Sequence, residues 1–185
     1  MGGKADESPS VLVVDDEPES ADLYADFLAQ DYTVRTVYDG DAAIDAVRAD
    51  SFDVVLLDRR MPGTSGDEVL HTIRSEGFDC KVAMVTAVMP DFDILEMGCE
   101  DYLVKPVSMD DLQATVERLR ILDAYDEKYQ ELSAKRIKRN VLQVEKRPGE
   151  LASSDRYRAL CDRVEELEAE LESIEAKLDA DGPLP

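Results

Sequence analysis

Between residues 10 and about 122, short apolar runs alternate with stretches whose apolar residues recur every three or four positions. The runs fall at 11–14, 33–37, 54–57, 82–85 and 102–104, and their valine- and leucine-rich character predicts strands buried on both faces. The intervening stretches predict helices. Leu23, Phe27 and Leu28 mark the inner face of the first, Ile44 and Val47 that of the second, and Val69, Leu70 and Ile73 that of the third. Leu112, Val116 and Leu119 do the same for a fifth. Pro18 suits a first helical turn, Ser65 and Glu68 have capping-box spacing, and Ser108 with Asp111 resembles it. Strand–helix alternation with buried strands predicts an α/β fold, a parallel sheet between two helical layers. Right-handed crossovers leave few orders for five strands, and the flavodoxin-like order 2-1-3-4-5 sets the first and third strands side by side.

That order gives the strand ends a meaning. The first run stops in Asp15-Asp16 and the third in Asp58. Three carboxylates therefore meet at the carboxyl edge of the sheet, where open α/β folds bind their ligands. They repel one another unless a hard cation sits among them, and Mg²⁺ suits an oxygen-only set. Lys105, just after another apolar run, adds a fixed positive charge. Phosphoryl transfer asks mainly for positioning and charge neutralisation, and an aspartate near neutral pH is already ionised. The set points to phosphoryl chemistry on a carboxylate.

After about residue 122 the strand-like runs vanish, and two helical patterns flank the break Lys146-Arg147-Pro148-Gly149. In the second, Tyr157, Leu160, Val164, Leu167, Leu171, Ile174 and Leu178 alternate spacings of three and four, a heptad seam of about three repeats. The first holds Leu122, Tyr125, Tyr129 and Leu132, then loses register before Ile137, Val141 and Val144. This predicts an all-α hairpin or coiled-coil region at 123–180, behind a first domain at 10–122, with a flexible N-terminus at 1–9 and an unstructured tail at 181–185. The first helix is basic at Lys135, Arg136, Lys138, Arg139, Lys146 and Arg147, and the second is rich in glutamate. The basic stretch faces either the acidic helix, in a hairpin or dimer, or nucleic acid. The former is favoured, because base readout needs an element free to enter a groove.

Charge and cysteine usage narrow the setting. With 43 acidic against 21 basic residues the chain carries a net charge of -22, which argues against nucleic acid or an anionic membrane as a partner of the whole chain. The same balance keeps a protein hydrated at high salt, so a halophilic cytoplasm is expected. Cys80, Cys99 and Cys161 show neither disulfide nor zinc spacing and read as reduced thiols. Residues 1–9 lack the apolar core of a signal peptide, and no run approaches bilayer-spanning length, so a soluble, cytoplasmic protein is expected.

Four motifs, each at a strand end, together closely resemble the receiver domain of two-component response regulators over residues 10 to 122. They are Asp15-Asp16-Glu17-Pro18, Asp58-Arg59-Arg60-Met61-Pro62-Gly63 with Gly66, Thr86-Ala87, and Tyr102-Leu103-Val104-Lys105-Pro106. The segment behind them looks like the HalX domain found after receivers in halophilic archaea. The resemblance implies that Asp58 accepts a phosphoryl group from a phosphohistidine on a sensor histidine kinase. It further implies that Asp16, Asp58 and the backbone carbonyl of Arg60 bind Mg²⁺ directly, with Asp15 acting mainly through a bound water. Lys105 would pair with the phosphoryl oxygens, Thr86 would hydrogen-bond the acquired group, and Tyr102 would rotate as a readout. No enzyme activity is implied beyond self-phosphorylation and slow autodephosphorylation. Output would run through the helical region, with a homodimer formed there or through a receiver face.

One departure stands out. Between Thr86 and Gly98 the chain is about one helical turn shorter than is usual in receivers, and Pro90 falls there, so the fourth helix is expected to be short. Two rival readings are a DNA-binding transcriptional regulator acting through residues 135–147 and a phosphohydrolase of the haloacid-dehalogenase type. The latter needs an Asp-x-Asp motif at the first strand, which Asp15-Asp16-Glu17 does not provide.

Overall fold

Residues 11–14 are almost wholly shielded from solvent along the entire run, which a strand achieves only with helices on both faces of its sheet. The structure, a computed structural model, describes residues 8–180, and the expectations for residues 1–7 and 181–185 lie outside them. Its elements are β1 (Ser10–Val14), α1 (Pro18–Leu28), β2 (Thr33–Val37), α2 (Gly40–Ala49), β3 (Val54–Leu57), α3 (Gly66–Glu76), β4 (Lys81–Thr86), α4 (Ile94–Met97), β5 (Asp101–Val104), α5 (Met109–Glu145), α6 (Pro148–Ala152) and α7 (Asp155–Ala180). The five strands are parallel in the order β2-β1-β3-β4-β5, as the alternation predicts. Leu12, Val14, Val55 and Leu57 face α2 and α3, while Val11, Val13, Val54 and Leu56 face α1 and the start of α5.

Helix starts follow the local chemistry. Pro18 opens α1, and at α3 the Ser65 hydroxyl accepts the Glu68 amide at 3.4 Å while the Glu68 carboxylate accepts the Ser65 amide at 2.8 Å. The inner face of α1 differs from the expected one. Leu23 is 49% exposed, and Ala21, Tyr24 and Leu28 are buried instead. The helix presents the stripe i, i+3, i+7 to the sheet, and the aromatic body of Tyr24 fills a place that the leucine pattern assigned to its neighbour.

Close backbone approach fixes the turn after β3. Gly66 donates its amide to the Arg59 carbonyl at 3.0 Å, and a Cβ on Gly66 would stand 2.1 Å from the Asp58 carbonyl oxygen. Only glycine fits there.

The chain separates into two compact units with the boundary between Arg120 and Ile121. No helix break marks it: α5 begins in the first unit and ends in the second, so the fifth and sixth helical patterns are one helix. Residues 109–145 contain neither glycine nor proline, and nothing interrupts the backbone ladder. The break comes at Pro148, where α6 starts.

Within the second unit α7 runs antiparallel to the later part of α5. Tyr125 bonds Glu175 at 2.8 Å, Arg136 pairs with Glu168 at 2.7 Å, and Gln143 bonds Tyr157 at 3.0 Å. Lys128 also pairs with Glu170, and Arg163 with Glu131. Leu132, Val164, Leu167 and Leu171 form the buried centre with Tyr125 packed against it. The heptad seam is thus closed only in its middle, and Tyr157, Leu160, Ile174 and Leu178 stay partly exposed. Ile137, Val141 and Val144, where the first pattern loses register, are exposed. Among the described residues no helix is long and apolar enough to cross a membrane.

Two predictions follow from this packing and geometry. Gly66→Ala should lower stability by about 1–3 kcal/mol in urea unfolding and displace the turn after β3, since the clash is with backbone that has nowhere to yield. In the hairpin, Leu167→Ala should cost about 2–5 kcal/mol, whereas Glu131→Gln, at an exposed and screened pair, should cost less than about 1 kcal/mol at pH 7. The Arg163 guanidinium holds the Glu131 carboxyl below its ordinary range. Its folded value lies below its unfolded one, so its contribution is present above about pH 4.3 and is lost as pH falls through the folded value. The Glu131→Gln difference should therefore vanish in acid while the Leu167→Ala difference persists, as measured by helix signal in unfolding titrations.

Candidate functional site

The sheet register brings the acids together. Val14 lies opposite Leu57, so the next residues, Asp15 and Asp58, leave adjacent strands at the same level. Backbone bonds hold both: the Asp58 amide donates to the Val14 carbonyl at 2.8 Å, and the Asp15 amide to the Val37 carbonyl at 3.2 Å. Asp15, Asp16 and Asp58 each offer a carboxylate oxygen, and these atoms all lie within 4.8 Å of one another. Asp15 is 2% exposed and Asp58 8%, while Asp16 sits at the rim, half-buried.

Lys105 enters from the end of β5, its amide donating to the Thr86 carbonyl at 2.9 Å. Its Nζ donates to Asp15 Oδ2 at 2.6 Å and to Asp58 Oδ2 at 3.0 Å. The second oxygens are also engaged, as Asp15 Oδ1 accepts the Glu17 amide at 3.0 Å and Asp58 Oδ1 the Arg60 amide at 3.2 Å. Burial pushes the Asp15 carboxyl above its ordinary range, against the opposing pull of Lys105 and the Glu17 amide. For Lys105, burial alone would favour the neutral amine, but the bonds to Asp15 and Asp58 outweigh it and raise its pKa.

Three carboxylates face a single ammonium, and the excess negative charge sits among oxygen donors with no sulfur or imidazole. That donor chemistry fits a hard divalent cation such as Mg²⁺ and disfavours soft metals.

Thr86 and Tyr102 stand beside this cluster rather than in it. Thr86 ends β4, is buried, and accepts the Val88 amide on its Oγ1 at 3.3 Å. Tyr102, paired with Met84 across the sheet, donates its hydroxyl to the Val88 carbonyl at 2.9 Å. The two side chains fasten one residue of the β4–α4 loop by both of its backbone groups. As expected, α4 is short, with only Ile94–Met97.

Sequence reasoning passed over Arg59. Its guanidinium donates to Asp67 at 3.1 Å and pairs with Asp93. Its place next to Asp58 was the available signal, and an acid 34 residues further on could not be linked to it without the sheet order.

Comparison with known proteins agrees with this geometry. A model of the response regulator receiver domain matches residues 11–117, and a model of the HalX domain matches residues 122–182. A Haloferax volcanii protein is 49% identical over 117 residues, which make up 63% of this chain and 20% of that protein. The transcriptional regulatory protein CutR of Streptomyces coelicolor is 41% identical over 113 residues, 59% of this chain and 52% of CutR. The chain thus spans about a fifth of the first relative's length and about half of the second's. The crystal structure of the response regulator protein TrrA of Thermotoga maritima, in complex with Mg²⁺ and BeF, superposes with a TM-score of 0.56 at 34% identity, over 60% of this chain and 98% of that one. The ordered carboxylates, the lysine that bridges them and the matched segments lead to one conclusion: this chain belongs to the response regulator receiver family and carries a HalX domain behind its receiver.

Proposed function

We propose that Asp58 accepts a phosphoryl group from a phosphohistidine on a sensor histidine kinase, and that the resulting change at the β4–α4 loop is passed on to the helical region. The observation that carries this reading is Lys105 Nζ bridging Asp15 and Asp58 inside a cluster of three carboxylates. An oxygen of Asp58 attacks phosphorus, the P–N bond to the imidazole breaks, and its electron pair returns to the ring nitrogen. The product is an acyl phosphate, and no proton has to leave Asp58 because the carboxylate is the reacting form. The Lys105 ammonium, already donating to the reacting carboxylate, neutralises charge on the incoming phosphoryl oxygens. The Arg60 amide holds Asp58 Oδ1 and so orients the carboxylate.

Asp16, Asp58 and the backbone carbonyl of Arg60 would hold Mg²⁺ directly, and Asp15 would do so mainly through water. When bound there, the ion neutralises the excess negative charge and withdraws electrons from the phosphoryl oxygens. After transfer the Thr86 hydroxyl turns toward the new group and gives up the Val88 amide, and Tyr102 follows as Val88 shifts. Water later cleaves the acyl phosphate and regenerates Asp58, so the chain turns over no separate substrate. A cytoplasmic setting follows from the kinase partner. The output is a protein contact or a homodimer of the helical region. Pairing of Arg136 with Glu168 supports this, since it commits one residue of the basic stretch to α7.

Asp58→Asn should abolish phosphoryl uptake, measured as the adduct mass, while the protein stays folded, because the substitution removes one of three repelling charges. An adduct retained at another carboxylate would overturn the assignment. Lys105→Ala should still bind Mg²⁺, measured by titration calorimetry, yet show no phosphorylation-dependent change in solution mass or hydrogen exchange. Normal switching in that variant would remove Lys105 from the pathway.

A further inference from the structure

The crossover from β4 to β5 poses a problem of mechanical support. Its helix α4 has four residues and buries none of them. Only Met97 of this single turn packs, half-buried, against the core, so polar ties must hold the rest of the segment. Two of these are the bonds from Thr86 and Tyr102 to Val88, which anchor the start of the segment.

The third is Arg59. Its guanidinium pairs with Asp93, the residue before α4, and donates to both oxygens of Asp67 at 3.1 and 3.2 Å. The Arg59 side chain is 16% exposed, whereas Asp67 is 48% and Asp93 46% exposed, so the cation is the sunken partner and the acids reach inward to it. Its backbone is held in turn, since its carbonyl accepts the Gly66 amide. One side chain thus joins the residue next to Asp58 to α3 and to the start of α4.

A guanidinium suits this task because its five donors lie in a fixed planar fork. One guanidinium shared by two acids also cannot be redirected toward one without loosening its hold on the other, so a change at one partner is felt by the second.

On the reading of Asp58 as the phosphoacceptor, we propose that Arg59 is the positioning residue that couples Asp58 to the α4 segment through Asp93. It adds a polar tie where this short crossover has only the half-buried Met97 to pack. When Asp58 gains a phosphoryl group, the turn's backbone stays fixed and the Arg59 side chain is redirected. Tyr102 leaves Val88, and the ion pair carries Asp93 and the start of α4 along. Met89, Phe92 and Leu95, all exposed, move with that segment.

The test uses the full chain with Mg²⁺ and acetyl phosphate as donor. Adduct mass on Asp58 and peptide-level hydrogen exchange over residues 87–98 are read in the same samples. Wild type should show the adduct and a change in exchange over 87–98. Arg59→Gln should take up the phosphoryl group to the same extent, with the exchange change reduced at least about fivefold. Asp93→Asn, at a half-exposed site that leaves folding intact, should reproduce that loss. The double variant should be no worse than either single one, because both remove the same tie. A full exchange response in phosphorylated Arg59→Gln or Asp93→Asn overturns the inference. Absence of the adduct on wild-type Asp58 would instead overturn the phosphoacceptor reading, and with it this one.

Discussion

Repulsion among three carboxylates at one end of a parallel sheet is the constraint around which the receiver is organised. Asp15, Asp16 and Asp58 are held closer than free carboxylates would stay, and the backbone bonds from Asp58 to Val14 and from Asp15 to Val37 prevent their retreat. Lys105 relieves part of the repulsion through bonds to two of the three acids. Burial adds a separate cost, and it drives the Asp15 carboxyl above its ordinary range against the pull of Lys105. A site left short of positive charge favours whatever brings more of it. Such a cluster suits a hard cation and, on the proposed reading, a phosphoryl group that arrives with the cation's help.

Topology places the cluster before any side chain does. The order β2-β1-β3-β4-β5 makes β1 and β3 neighbours, and their matched register sets Asp15 and Asp58 level. The turn after β3 then has to fold back so tightly that Gly66 nearly touches the Asp58 carbonyl. Burial of the strands on both faces leaves those backbones no freedom to spread the charges. Sheet, turn and acids form one rigid frame, and motion is left to the β4–α4 loop, where Thr86 and Tyr102 each contribute one hydrogen bond.

Much of this was legible in the sequence because each signal was local and redundant. Strand ends were marked by a switch from valine and leucine to aspartate, and helix starts by Pro18 and by the Ser65–Glu68 pair, which closes as the spacing predicts. Local signals fail where the deciding partner is distant. Leu23 outranks Ala21 on any hydrophobicity scale, yet α1 is turned by what lies beneath it, and Tyr24 fills that space better. The change in composition near residue 122 marks a domain boundary, and the helix runs through it because the backbone contains no breaker there. Arg59 stayed hidden because its acids come from two different crossovers, and only the folded chain shows them together.

The helical unit obeys a different physics from the receiver. Its buried centre is limited to Leu132, Val164, Leu167 and Leu171, and pairs such as Arg136–Glu168 and Arg163–Glu131 line the rest of the contact. Such exposed pairs contribute little each and weaken as salt rises, so in concentrated salt the few apolar contacts carry most of the hairpin's stability. The same screening relaxes the self-repulsion of a chain with a net charge of -22. The two effects oppose one another as salt changes. They leave a rigid receiver, fixed by a core on both sides of its sheet, joined through α5 to a hairpin whose hold is shallow. On the proposed reading, a shallow hold suits an output element, because a small bias supplied elsewhere is enough to shift its packing, whereas the receiver's frame must not yield if a charge gained at Asp58 is to move only its loop.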